Sequence, residues 1–222
     1  MQKNLPTYII GIILIIGAFY FWQTYDGASS YRTGSDAYGT ASGNENDAVN
    51  GSVGSQNGNS STNNFMVNAD IETTKGNFVL ELYMDRAPKT VTNFVTLAGK
   101  GYYNGIKVHR VVPEFIVQFG DPLTKELPLN DPKIGTGGPG YTIPDEFHPN
   151  LSNVRGTISM ANSGPNTGGS QVFINLVDNT FLDYDKPPAS SAHPVFGRVT
   201  DGMDVVDSLE AGDVIEKITI RQ

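Results

Sequence analysis

At 222 residues the chain has room for one well-buried domain of ordinary size plus additional segments. Its 15 Lys and Arg against 23 Asp and Glu give a net charge of −8, which offers no basic footprint for a phosphate backbone and argues against nucleic acid and other anionic partners. Cysteine is absent, so disulfides, thiolate nucleophiles and cysteine-held metals are excluded.

The first element in chain order is LPTYIIGIILIIGAFYFWQTY, Leu5 to Tyr25, which carries no charge and is long enough to cross a bilayer as one helix. Tyr8 lies near one end and Tyr20, Trp22 and Tyr25 near the other, where amphipathic rings suit the headgroup region. Lys3 precedes the run and Asp26 follows it, so the positive-inside tendency puts the N-terminus in the cytoplasm and the remainder outside. A cleaved signal peptide is the competing reading, but the run exceeds the usual apolar core and no Ala-x-Ala follows Trp22. Residues 1–25 are therefore expected to be a single-pass membrane anchor with the rest of the chain extracytoplasmic, on the periplasmic or extracellular side.

Residues 26–64 are dominated by Gly, Ser, Asn and Thr and hold too little apolar bulk for a core. A flexible linker is expected, with a root-mean-square reach of about 30 to 37 Å.

From residue 65 to 222 the pattern becomes that of one compact, strand-rich domain. FMVNADIET and NFVLELYM flank Thr74, Lys75 and Gly76, and Phe78, Leu80, Leu82 and Met84 fall at period two, which predicts a hairpin. Pro88 opens a helix whose Val91, Phe94, Val95 and Ala98 share a face before Gly99 and Gly101 end it. IKVHRVV, FIVQF, GTISMA, QVFINL, VFGRV and VIEKITIRQ read as further strands, with a short helix over Met203 to Leu209. Many short strands with few helices predict a closed or nearly closed β-barrel.

Several motifs fail on context. GTGGPG, Gly135 to Gly140, matches G-x-G-x-x-G, but Pro139 and the following YTIPDEF do not open the helix that a dinucleotide site needs. His109, His148 and His193 lack metal-ligand spacing, and there is no P-loop, H-E-x-x-H or nucleophile elbow.

Two blocks remain: VHRVVPEFIVQFGD, Val108 to Asp121, and GTISMANSGPNTGGSQVFINL, Gly156 to Leu176. Each sets polar groups able to act on a peptide, such as Arg110 and Gln118, among apolar residues able to wall a pocket, such as Phe115, Ile116 and Phe173. From spacing alone those apolar residues read rather as barrel core, and a lone Arg110 rather as a solvated surface charge.

Together the blocks resemble the cyclophilins, peptidyl-prolyl cis-trans isomerases, and the resemblance spans nearly all of 65–222. It implies a mainly β fold, a closed eight-stranded antiparallel barrel capped by two helices, and an isomerase that needs no metal or cofactor. By this resemblance Arg110 is the catalytic donor. Phe115, Ile116, Phe173 and Leu182 wall the proline pocket, Gln118 with the backbone of Ala161 and Asn162 binds peptide, and His109 and His193 line the groove. Gly135, Ser163 and Gln171 belong to a shallow neighbouring pocket for residues upstream of proline. The implied partners are proline-containing polypeptides, met by a monomer. Phe181 stands where many family members carry a tryptophan that hydrogen-bonds cyclosporin, so at most weak drug binding is expected. The loops at 122–134 and 183–192 exceed those of the smallest members and are expected to border the groove. A proline-peptide binding module or holdase chaperone on the same fold is the alternative reading.

Overall fold

The computed structural model describes residues 67–221. The expected anchor at 1–25 and linker at 26–64 lie outside the described residues, and among these no helix is long and apolar enough to cross a membrane.

Strict alternation builds the first hairpin. In β1, Val67–Thr73, and β2, Gly76–Leu82, the side chains of Val67, Ala69, Ile71, Phe78, Leu80 and Leu82 turn inward and their neighbours outward. Thr73 pairs with Gly76 across Thr74 and Lys75, and Gly76 takes φ 131°, a region open to glycine. Helix α1, Pro88–Gly99, begins at Pro88, whose missing N–H costs nothing in the first turn. No neighbouring side chain caps it. Instead Glu146, far along the chain, accepts hydrogen bonds from Thr90 N–H at 2.6 Å and Thr90 Oγ1 at 2.9 Å. The helix ends on a Schellman pair: Gly101, at φ 66°, donates to Ala98 O and Tyr102 to Leu97 O.

The remaining elements are β3, Ile106–Lys107; β4, Arg110–Val112; β5, Ile116–Phe119; β6, Thr157–Met160; β7, Val172–Asn175; β8, Val195–Asp201; α2, Met203–Ser208; and β9, Val214–Arg221. They form one antiparallel sheet of nine strands in the order β3-β9-β1-β2-β8-β6-β7-β5-β4. This corrects the closed eight-stranded barrel expected from the sequence, because no ladder joins the end strands β3 and β4 and the pairing is that of a half-barrel. The cause lies in Ile106 to Val112, expected as one strand. Its first half pairs with β9 and its second with β5, while Val108 N–H donates to Asp213 O and His109 N–H to Gln118 O. The partner changes between consecutive residues, so one ladder cannot run through.

Helix α1 drives Phe94 into the main core, where its ring lies 5.1 Å from Tyr103 and 5.6 Å from Phe196. A second apolar cluster is separate from this core: buried Ile116, Phe173 and Leu182, with Phe115 and Ala161 packed against it.

Candidate active site

The second cluster follows from strand periodicity. Along β5, Val117 and Phe119 enter the main core, which sends Ile116 and Gln118 to the opposite face. Along β7, Val172 and Ile174 enter the core and Phe173 is turned out in the same way. Register then places Arg110 opposite Gln118, Gln118 opposite Phe173, and Phe173 opposite Ser159. One row across β4, β5, β7 and β6 thus carries a cation, an amide and an aromatic wall. Leu182, from the 3-10 turn Thr180–Leu182, joins the cluster while Phe181 points outward, 58% exposed, and stacks on Phe115 at 6.0 Å and 15°.

Arg110 is half-buried and, among the described residues, has no carboxylate within ion-pair distance. Its guanidinium lies 5.8 Å above the Phe115 ring, and Nη1 donates to Gln118 Oε1 at 3.3 Å. Burial lowers its pKa, though a guanidinium stays charged at any physiological pH. A relay of amides steadies it: Gln118 Nε2 donates to Gln171 Oε1 at 3.0 Å, and Gln171 Nε2 donates to the carbonyls of Gly135 and Gly137 at 2.9 and 2.8 Å.

The two histidines are held differently. His193 meets Phe173 edge-on at 5.2 Å, and its Nδ1 lies 3.1 Å from the Met160 carbonyl, which requires the Nδ1–H tautomer and leaves Nε2 as an acceptor. His109 has both ring nitrogens buried without a hydrogen-bond partner among the described residues. Burial is the largest influence on both rings and lowers both pKa values, so each is neutral at pH 7. Neither is placed to supply charge. His148, given no role from the sequence, only orders its own loop by accepting from Asn150 N–H.

Beside the apolar cluster lies a cleft of ≈ 320 Å³ whose walls include Gln118, Gly135, Ala161, Asn162, Ser163 and Gln171, but not Phe115, Phe181 or Leu182. The backbone N–H of Ala161 is already given to Gln171 O, whereas the backbone N–H and carbonyl of Asn162 have no partner among the described residues. The Asn162 side chain ties Ala192 O at 3.0 Å, and Ser163 N–H is bonded to Thr167 Oγ1. Of the two longer loops, residues 122–134 are not among the walls of this cleft, which the directly following Gly135 to Pro139 help to form. The second, 183–192, approaches through Ala192 O.

Sequence reasoning missed Asp121. Its carboxylate is fully buried and accepts N–H groups from Leu123 at 2.8 Å, Gly135 at 2.5 Å and Gly137 at 3.3 Å, which pins the loop that Gln171 reads. A Cβ at Gly137 would meet Asp121 Oδ1 at 2.0 Å, so glycine is required there by close approach. The glycine density of GTGGPG was the available signal. A second missed group lies behind the cluster: Asn153, Ser159, Asn175 and Asn179 interlock, with Asn179 Nδ2 fixing Phe115 O at 2.9 Å and Asp183 accepting from Asn153 and Ser152. Among the described residues no group of three or more acidic or histidine side chains is placed to hold a metal.

A cation with no counterion among the described residues thus lies at the rim of an outward apolar cluster, beside hydrogen-bonding amides. The family model for "Cyclophilin type peptidyl-prolyl cis-trans isomerase/CLD" matches residues 68–222, and the chain belongs to that family. It is 44% identical over 153 residues to a peptidyl-prolyl cis-trans isomerase of Helicobacter pylori, covering 68% of this chain and 84% of that protein. It is equally 44% identical over 144 residues to a peptidyl-prolyl cis-trans isomerase-like 1 of Aspergillus fumigatus, covering 62% and 78%. A crystal structure of a Cryptosporidium parvum cyclophilin-type isomerase in the presence of the dipeptide Ala-Pro superposes with a TM-score of 0.58 at 28% identity, over 70% of this chain and 99% of that one. The protein is a cyclophilin-type peptidyl-prolyl cis-trans isomerase.

Proposed function

We propose that the protein isomerises X-Pro bonds in exported or cell-surface polypeptides and so assists their folding, with Leu5 to Tyr25 holding it to a membrane. Rotation about the prolyl amide breaks resonance across a barrier of roughly 18 to 20 kcal/mol and needs no nucleophile or metal. In the twisted amide the proline nitrogen regains its lone pair. Arg110 donates to that nitrogen, a hydrogen bond stronger in the transition state than in either planar isomer. Ile116, Phe173 and Leu182, flanked by Phe115 and Ala161, hold the ring, while Gln118 and the backbone groups of Asn162, unpaired among the described residues, fix the flanking chain. The observation that carries this reading is the half-buried Arg110 guanidinium beside the cluster, with no counterion among the described residues, since a binding module gains little from such a cation. The Ala-Pro dipeptide used with the Cryptosporidium neighbour supports a proline-containing peptide as the substrate.

The deciding experiment is an isomerisation assay on proline peptides. Binding without rate acceleration would leave the holdase or binding module in its place. For the anchor, full-length protein should stay with membranes washed in alkaline carbonate; release, or a mature N-terminus beyond Trp22, would replace it with a cleaved signal.

The exposed Phe181 also bears on drug binding. Its ring covers Phe115 but has no donor, so cyclosporin should inhibit weakly. One added hydrogen bond is worth about 0.5 to 1.5 kcal/mol, so Phe181→Trp should tighten inhibition by about 2- to 13-fold in a competition titration.

A further inference from the structure

The β4–β5 hairpin that carries Arg110, Phe115, Ile116 and Gln118 turns on Val112, Pro113, Glu114 and Phe115, closed by Phe115 N–H donating to Val112 O at 3.0 Å. Pro113 in the second position and φ 56° at Glu114 in the third follow the type II pattern, whose third position is the place for glycine or asparagine. Glutamate gains nothing there from its backbone. Among the described residues one other non-glycine residue has positive φ, Asn166, and it shows what a structural reason looks like: its Oδ1 accepts Asp145 N–H and its own N–H donates to Asp145. Glu114 makes no such return. Its side chain is exposed and, among the described residues, enters no hydrogen bond or ion pair. Arg110, four residues back on the same hairpin, is turned to Gln118 and Phe115 instead.

A strained residue at a functional rim, with no internal bond to account for it, points to what its side chain does outward. Its place in the groove decides what that is. The cleft for residues upstream of proline lies on the Gln118 and Gln171 side and excludes Phe115 and Phe181. The apolar cluster touches the cleft through Ala161, which lines both, while Phe115, with Phe181 stacked on it, packs on the cluster and stays out of the cleft lining. A peptide that meets the cleft first and then seats its proline leaves over the Phe115 rim, next to Glu114. We infer that Glu114 is a specificity-determining residue that selects substrates bearing a cationic side chain, lysine or arginine, within the two residues after proline. This rests on the isomerase reading of the site.

The test uses the full-length protein and three peptides that differ in the two positions after proline: Lys-Lys, Ala-Ala and Glu-Glu. Rates come from NMR exchange, which needs no protease that would itself read those positions. Exposed ion pairs of about 0.2 to 1 kcal/mol correspond to roughly 1.4- to 5-fold each, so kcat/KM for Lys-Lys should exceed that for Glu-Glu by about 2- to 10-fold at low salt, mainly through KM. The ratio should shrink as ionic strength rises. Glu114→Gln should bring it close to one and Glu114→Lys should invert it, a reversal that a purely structural role would not produce. Glu216→Gln, which removes the same charge from β9, should leave the ratio as in the wild type. Isomerisation of all three peptides with a ratio that Glu114→Gln and Glu114→Lys do not move would overturn the inference and leave the enzyme reading standing. Absence of isomerisation on every peptide would overturn that reading and the inference with it.

Discussion

Arg110→Ala should lower kcat/KM by about 10²- to 10³-fold, the usual cost of removing one preorganised donor aimed at the transition state. The fold should survive. The side chain is half-buried on an outward-facing row, its hydrogen bond goes to Gln118, and the charge removed was partly desolvated with no counterion among the described residues. A shift of the melting midpoint within about 5 °C is therefore expected. Arg110→Lys should rescue poorly, because an ammonium cannot lie across Phe115 and reach Gln118 with a rigid planar fork. Peptide affinity should change far less than rate. Full activity in a folded Arg110→Ala protein would sink the mechanism.

The largest stability effect is expected from Asp121→Ala. Three backbone N–H groups, from Leu123, Gly135 and Gly137, converge on this buried carboxylate, and each hydrogen bond to an ionised acceptor is worth about 1.5 to 3 kcal/mol. Gly135 is exposed and can turn to water, so a total of about 3 to 5 kcal/mol is expected, or a melting midpoint lower by roughly 6 to 20 °C. Catalysis should suffer at a distance. The carbonyls of Gly135 and Gly137 hold Gln171, which holds Gln118, which holds Arg110, so a loosened loop should raise KM for longer peptides more than for short ones. Asp121→Asn keeps the volume and one acceptor and should fall between. A calorimetric melt of Asp121→Ala within about 2 °C of wild type would mean that water replaces the carboxylate without loss.

Some of this architecture was legible in the residues and some was not, for physical reasons. The β1–β2 hairpin could be read because one face meets the core and the other meets water, so Phe78, Leu80 and Leu82 alternate cleanly. Helix α1 announced itself through Pro88 and the glycines that close it. In β5 and β7 both faces are apolar or amide-bearing, one toward the core and one toward the groove, and alternation there cannot say which face is the pocket. The assignment of Arg110, Phe115 and Phe173 came from resemblance, and the separation of their cluster from the core became visible once cross-strand register was known. The split of Ile106 to Val112 carries no local signal, because both halves are extended and differ solely in their partner. Asp121 was opaque for a similar reason: two of its three N–H donors, Gly135 and Gly137, return from more than a dozen residues away.

The strand order also fixes when this domain can exist during its synthesis. β9 lies between β3 and β1, and Asn68 pairs with Arg221 across nearly the whole domain. A wall of the sheet is therefore missing until residues 214–221 have been made and delivered, and earlier strands wait with an unpaired edge. The β1 edge stays open until residues 214–221 dock on it, so the sheet that carries the site is completed by a strand far along the chain from its partner.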